Sequence, residues 1–555
     1  ATEHPRTNGG WTIRLVPVSD LIGGDGFWVV IALFLLSIGL LMAIATANVS
    51  NLVMVRTLAR SRELAVRSAL GARKGRIIRQ FVTEGAVLSI AAALLSLPVA
   101  WAGLRGIQAI SSDAVFQQLI IDTHELGFIA VVALICPILF SISPVRALSR
   151  PDMRQVLAAS GGRGTTASMK GRGALVVVQV ALAVILLIVA SLALRSIRGL
   201  YAAPTGMATS NLLVFGLEFN EAAYPDLGQA VAAAIAARDE LRKLPGVEVA
   251  AMISSLPILG DQMPRALTID NSAPDPKAAQ PTAVITGVDA AAGSALGLRL
   301  LAGEWWTDGA RDVAVISETA ARRYFGGIEQ AVGRFVSLSN GDQLARARVI
   351  GVSSDVANTD RTQAPSARVW LPLDPGARRF AYVVKAQNPA PLASSVRTVV
   401  AANAAAVPIE YLMTFDEALA RAASSDYAVI GMLSGFAVLA LVLASTGLFG
   451  VVSYAVAQRT PEFGTRMALG ARSADVVRLV AKESLLLLAI GLSIGLAGGI
   501  GVAFTMESVL YGLSPTDPLT IGSVVALLSI VTITATALPA WKASRIDPVV
   551  ALRSE

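Results

Sequence analysis

Seven stretches of the chain are apolar and free of charge over the length a membrane helix needs: roughly residues 27–49, 85–104, 126–145, 174–194, 428–457, 484–506 and 518–541. A hydrocarbon core about 30 Å thick takes about twenty helical residues, so each stretch predicts a transmembrane helix. Buried helices of a large soluble protein would rarely repeat so many charge-free runs of this length. Between the fourth and fifth stretches the pattern changes. LLVFGLEF (Leu212–Phe219), VEVAAMI (Val247–Ile253), VAVI (Val313–Ile316), ARVIGV (Ala347–Val352), RVWLPL (Arg368–Leu373) and FAYVVKA (Phe380–Ala386) predict short strands. Leu227–Leu244 and Pro391–Ala405 carry helical spacing, with Pro245 and Gly246 ending the first. This segment, about 200–426, predicts one α+β domain with no repeat of its own.

The chain repeats itself outside that domain. ELAVRSALGAR at Glu63–Arg73 returns as EFGTRMALGAR at Glu462–Arg472, and Arg60/Arg459, Arg79/Arg478 and Glu84/Glu483 keep the same offset. A second pair, PVRALSRPDMRQVL from Pro144 and PAWKASRIDPVVAL from Pro539, repeats near the ends of the two units. Two registered pairs identify a duplicated structural module. In the second unit an outward span, the α+β segment and an inward span precede the repeated motif, whereas the first unit has only Ala1–Gly26 ahead of its inward span. That polar, turn-rich stretch reads as the tail of a missing exported segment, in a complete polypeptide of two four-span units.

Composition and charge set the environment. The chain is 54% hydrophobic and 15% charged, against about a quarter charged in soluble domains. Arg56, Arg60, Arg62, Arg67, Arg73, Lys74, Arg76 and Arg79 follow the first span, and Arg146, Arg150, Arg154, Arg163, Lys170 and Arg172 the third. Arg459, Arg466, Arg472, Arg478 and Lys482 follow the fifth span, and Lys542, Arg545 and Arg553 the last. The positive-inside rule makes all these segments cytoplasmic and the α+β segment exported. Dispersal over inward loops accounts for the net charge of +7 without nucleic acid.

Few residues offer chemistry. His4 and His124 are isolated, which argues against a metal site, and the lone Cys136 cannot form an intrachain disulfide. No charged residue lies mid-span, where a proton-coupled transporter would keep a carboxylate. The Asn48–Ser50 triplet fits a glycosylation signal by chance at a membrane edge. Trp305, Trp306 and Tyr324 read as core aromatics rather than a ligand-facing cluster. Gly491, Gly495 and Gly499 share one face of a span and favour close helix packing.

The repeated cytoplasmic motif reads as a short helix with a hard stop. Thr460 and Pro461 are a cap and first-turn pair, Glu462 suits the positive helix start, and Gly470 is placed to end the helix. Ser473 is then placed to cap a second helix that enters the next span. A short helix of this kind is either a lipid-surface anchor or a lever docking into a partner. Recurrence of the same ALGA tip at Ala69–Ala72 and Ala468–Ala471 favours the lever. Upstream, Phe415 to about Ala457 has no proline and no glycine pair, so one helix can run about 60 Å, with two helices bent near Ser424 and Ser425 as the alternative. In the first unit Gly23, Gly24, Asp25 and Gly26 are expected to break the corresponding rod.

These motifs, with YAVAQRTPEFG (Tyr454–Gly464), LYGLSPTDPLT (Leu510–Thr520), PAWKASRIDPVVALR (Pro539–Arg553), LPGVEVA (Leu244–Ala250) and VAVISETAARRYF (Val313–Phe325), resemble permeases of the MacB/FtsX class of ABC transporters, in particular the duplicated orphan permeases of acidobacterial genomes. The resemblance implies an α-helical membrane protein of the bacterial inner membrane, with seven transmembrane helices arranged 3+4 from a duplicated four-helix unit and an α+β periplasmic MacB-like domain. The implied domains are 1–26, the tail of a first periplasmic domain; 27–148, a first FtsX-like permease domain; 149–173, a cytoplasmic linker; 174–198, the first span of the second unit; 199–426, the MacB-like core; and 427–555, a second FtsX-like permease domain. It further implies that Glu63, Arg67, Ala69, Leu70, Gly71 and Ala72, and Glu462, Arg466, Ala468, Leu469, Gly470 and Ala471, form helices that couple to an ATPase. No GxxxxGK[ST] phosphate loop occurs in the chain, so the resemblance implies a permease that is not itself an enzyme and binds no cofactor. ATP would act through a separate ATPase subunit in two copies. Membrane lipids, a periplasmic adaptor and an outer-membrane channel are the other partners implied. The expected work is mechanotransmission for export of a peptide, antibiotic or lipid. Mechanical regulation of an envelope enzyme or sensor kinase is the alternative, and a membrane scaffold without an ATPase is the third reading.

Overall fold

The fold is that of a computed structural model, which describes residues 24–59, 74–110, 117–148, 165–260, 263–270, 280–340, 343–374, 376–405, 407–469 and 472–543. Four helices come first: α1 (Gly24–Ala59), α2 (Lys74–Ile110), α3 (Thr123–Leu148) and α4 (Thr165–Ala202). Then follow β1 (Leu212–Glu218), α5 (Leu227–Leu241), β2 (Val247–Ile253), β3 (Pro264–Ile269), β4 (Thr282–Val288), the short α6 (Ala292–Ala295), β5 (Leu300–Gly303) and β6 (Val313–Ser317). After these come α7 (Glu318–Phe325), α8 (Ile328–Ala331), β7 (Phe335–Asn340), β8 (Gln343–Ser353), β9 (Arg368–Pro372), β10 (Arg379–Ala386), α9 (Leu392–Asn403) and β11 (Ile409–Thr414). The chain then returns to helices α10 (Phe415–Gln458), α11 (Thr460–Ala468), α12 (Ser473–Thr505) and α13 (Pro518–Ala543).

Among the described residues, six helices are long and apolar enough to cross a membrane: α1, α2, α4, α10, α12 and α13. The third apolar stretch of the sequence forms α3, whose apolar portion Thr123–Ile138 is shorter. The protein is thus a helical membrane protein. α10 is one continuous helix of 44 residues, about 66 Å long, with Ser424 and Ser425 inside it. Gly24, Asp25 and Gly26 are the opening residues of α1, and Gly23 lies outside the described residues.

The described residues divide into two compact units, one spanning Leu200–Ala423 and the other made of the membrane helices. In the helical unit α4 is the central element. Val176, Val180, Val184 and Ile188 on it are buried among Leu433 and Leu448 of α10, Leu488 of α12 and Val524 and Leu528 of α13. The glycine face of α12 makes this possible. A Cβ on Gly491 would lie 2.8 Å from Val180 Cβ, on Gly495 2.6 Å from Val184 Cβ, and on Gly499 2.6 Å from Ile188 Cδ1. Removing three Cβ atoms lets the helices approach closely, as small residues do in lipid where no hydrophobic force drives helices together.

The Leu200–Ala423 unit is built on one eleven-stranded sheet in the order β11-β1-β10-β2-β4-β3-β7-β8-β6-β9, with β5 on β8. β9 also pairs in parallel with β4, so the last six strands of that order return on themselves as a barrel. The remaining four strands are antiparallel to one another, and Phe215, Phe219, Phe380 and Tyr382 bury one face beneath Ala230 and Ala234 of α5 and Val396 and Val400 of α9. The six strand runs legible in the sequence are all strands, and α5 ends at Leu241, three residues before its expected limit. A positive φ at Gly246 turns the chain into β2, which a side chain would disfavour.

Candidate functional site

The second copy of the repeated motif forms a compact corner. α10 ends at Gln458 and α11 begins at Thr460, so a single residue, Arg459, makes the turn. Its N–H donates to the carbonyls of Ala455 and Val456, each at 3.2 Å, and its carbonyl accepts from Phe463 N–H at 2.9 Å. Thr460 is the first helical residue, contrary to its expected role as the cap. Its hydroxyl donates back to the Val456 carbonyl at 3.1 Å, which closes the end of α10 rather than the start of α11.

Charged groups brace the corner. Arg459 Nη1 donates to Glu483 Oε1 of α12 at 2.7 Å, and its Nε lies 3.6 Å from Glu462 Oε2. Arg466 Nη2 pairs with Glu462 Oε1 one turn away at 2.7 Å. Glu462 is therefore shared between two arginines, in addition to favouring the helix start. Next to these groups on the helix, Phe463 is buried among the membrane helices and Met467 packs against the same core.

What remains outward is the tip. Leu469 is 89% exposed, and Thr465, Arg466 and Ala468 are exposed with it. Burying an exposed leucine fully against an apolar surface is worth about 2 kcal/mol. The expected end of α11 at Gly470, and Ala471 after it, lie outside the described residues, as do Glu63, Arg67, Ala69, Leu70, Gly71 and Ala72 of the first unit. α12 then starts without Ser473 as its cap. Arg472 holds that position, and Asp475 Oδ2 accepts its N–H at 3.0 Å.

A clasp that sequence reasoning did not single out ties α4 to the segment that enters α13. Arg195 of α4 pairs with Asp517 and donates to Thr520 Oγ1 at 2.9 Å, while Tyr511 N–H donates to Ser196 Oγ at 2.8 Å. Burial would raise the Asp517 carboxyl, but hydrogen bonds from Thr520 and Arg195 outweigh it and hold the group below its ordinary 3.8. The signal was present in LYGLSPTDPLT, where an aspartate precedes a helix-starting proline.

The α+β unit holds no expected site residue. Trp305 and Trp306 stack at 4.6 Å and Trp306 is buried, whereas Tyr324 belongs to another core cluster, its hydroxyl bonded to the Thr282 backbone. The aromatics are therefore core. Arg368 is buried in the sheet, donates to Thr286 Oγ1 at 3.0 Å and is lowered by burial to about 10. Among the described residues no group of His, Cys, Asp and Glu is arranged to hold a metal ion.

Comparison with known proteins places these elements. The model of the FtsX-like permease C-terminal region matches twice, over residues 29–153 and 434–548. The MacB-like periplasmic core domain matches residues 174–404 between them. The macrolide export ATP-binding/permease protein MacB of Chromobacterium violaceum is 31% identical over 44% of this chain and 38% of its own length. The pyoverdine export ATP-binding/permease protein PvdT of Pseudomonas syringae pv. tomato is 27% identical over 44% of this chain and 38% of its own length. Among solved structures, the extracellular domain of the noncanonic ABC-type transporter YknZ from Gram-positive bacteria is 13% identical with a TM-score of 0.24, covering 36% of this chain and 100% of that one. The chain spans about two fifths of the length of those two curated relatives. With an FtsX-like permease region on either side of a MacB-like periplasmic core domain, this membrane-embedded chain belongs to the FtsX-type ABC transporter permeases.

Proposed function

We propose that this permease couples ATP hydrolysis by a separate ATPase subunit to work on the periplasmic side of the bacterial inner membrane, by mechanotransmission through α10. The exposed Leu469 at the tip of a helix anchored by buried Phe463 carries this reading. α11 is the lever: Phe463 and the Arg459–Glu483 pair fix it to the membrane helices, and Ala468 and Leu469 enter a cleft of the ATPase. Force applied there reaches α10 through the one-residue turn at Arg459. An unbroken helix of about 66 Å transmits displacement along its axis without bending.

The two matches to one permease model support a duplicated unit, with seven spans arranged 3+4 and a second coupling helix at Glu63–Ala72. On this reading one chain offers two docking tips and takes two ATPase copies, and ATP reaches it only through them. The expected domain limits at 27–148, 149–173, 174–198, 199–426 and 427–555 follow the same scheme. A peptide, antibiotic or lipid is the proposed cargo class, consistent with relatives named for macrolide and pyoverdine export. A periplasmic adaptor and an outer-membrane channel would complete the path.

The test is Leu70→Asp and Leu469→Asp, singly and together, in the full chain. A carboxylate forced into each docking cleft without a partner should cost several kcal/mol. Each single change lowers ATPase copurification and stimulated hydrolysis, and the double change abolishes both. Undiminished ATPase association in the double variant would refute the coupling role.

A further inference from the structure

The offset that brings Glu63 onto Glu462 also brings Asn48 of α1 onto Gly447 of α10, and Ile44 onto Leu443. In the structure these registered positions meet. Asn48 Nδ2 donates to the Leu443 carbonyl at 2.7 Å, and Gln179 Nε2 of α4 donates to Asn48 Oδ1 at 3.0 Å. A Cβ on Gly447 would lie 2.4 Å from Asn48 Oδ1 and 2.3 Å from Gln179 Oε1. Both amide oxygens thus lie over the direction in which the glycine has only a hydrogen, a position suited to weak Cα–H···O contacts. Ile44, Ala183, Leu186, Ala440 and Ala444 bury the surroundings.

Contacts between counterpart residues mark the axis of a two-fold arrangement. In a pair of identical units each residue at such an axis would meet its own copy. Two copies of α1 would set Asn48 against Asn48, where neither has the space that Gly447 leaves. Two copies of α10 would set Gly447 against Gly447 and leave the Leu443 carbonyl without the Asn48 donor. Only the unlike pair fits the space and gives the Asn48 amide both its acceptor and its donor, while Gln179 Oε1, lying over the glycine, accepts no conventional hydrogen bond.

We infer that Asn48, Gln179 and Gly447 form a selective latch through which one chain pairs its own two permease units, so that the working permease contains a single copy of this chain. The inference rests on the reading of the two units as halves of one permease. Placing the large residue on one helix and its receptor on the other is a specificity device that identical halves cannot use, because it needs two different sequences at one position.

Two measurements on the purified full chain test it. The particle mass in nanodiscs gives the copy number: one chain per particle is expected, and two chains per particle would overturn the latch as a pairing device. Thermal unfolding gives the contact. Gly447→Ala should lose several degrees, Gly450→Ala, which meets nothing within 4 Å, should not, and Gln179→Ala added to Gly447→Ala should recover part of the loss. Equal melting of Gly447→Ala and Gly450→Ala, or strictly additive losses in the double variant, would also overturn it. Neither readout involves the ATPase. A failed latch therefore leaves the Leu70 and Leu469 result standing, and a failed docking test leaves the latch standing.

Discussion

Gly495→Ala puts one methyl where α12 and α4 have no room for it. The new Cβ would lie 2.6 Å from Val184 Cβ, 2.8 Å from the Ala181 carbonyl oxygen and 2.9 Å from Ala181 Cα. Carbon atoms rest at about 3.5–4.0 Å, so the helices must separate by about 1 Å at this level. All three obstacles are backbone, Cα or Cβ atoms, which no rotamer change can move. Such overpacking costs about 1–3 kcal/mol, against a gain of about 1 kcal/mol from replacing glycine by alanine inside a helix. Gly501 on the same helix meets nothing within 4 Å, so Gly501→Ala carries the gain without the clash. The pair therefore isolates the packing term. Gly499→Ala should fall between them, since its nearest obstacle at 2.6 Å is the mobile end of Ile188. The assay is thermal unfolding of the full chain in detergent, followed by retention of the monodisperse peak. The expected order of melting temperature is Gly501→Ala highest, then Gly499→Ala, then Gly495→Ala. Gly495→Ala melting at or above Gly501→Ala would refute the reading of the stripe as a packing face.

Glu483→Gln should leave melting almost unchanged, because a part-exposed ion pair contributes about 0–1 kcal/mol, yet lower ATPase stimulation by loosening α11 from α12; unchanged stimulation would exclude Arg459–Glu483 from force transfer. The folded Asp517 carboxyl lies below its ordinary 3.8, so its clasp with Arg195 is fully present above that pH and is lost as pH falls through the lower folded value. Acidification from pH 5 to about 3 should therefore narrow the melting difference between the parent chain and Asp517→Asn, and a constant difference would contradict the assignment. With Cys136→Ser as background, cysteine at residue 473 should escape an impermeant thiol reagent in intact cells while cysteine at residue 272 reacts, and the reverse pattern would invert the topology.

Much of this architecture is legible because lipid imposes a coarse rule. About twenty apolar residues make a spanning helix whatever its neighbours, so six of the seven expected stretches are helices long and apolar enough to cross. The glycine spacing at 491, 495 and 499 was readable for the same reason, since backbone approach depends on the missing atom alone. The strands fared less evenly. β1, β2 and β10 are mostly apolar runs, whereas β3 opens on Pro264 and β11 is a mixed segment, and these pair because neighbouring strands are already in place.

The sequence by itself determined the membrane setting, the two registered motifs and the single α+β insertion, because length and repetition act locally along the chain. Tertiary structure alone decided that α4 is the central helix, since its composition resembles that of its neighbours and only packing from several sides buries it. It decided that Phe463 faces inward while Leu469 faces out, a distinction between two apolar residues that needs the position of α12. It also decided that Asn48 and Gly447 meet. Residues about four hundred positions apart become partners only when two helices cross at their counterpart positions, and no pattern within either helix carries that information.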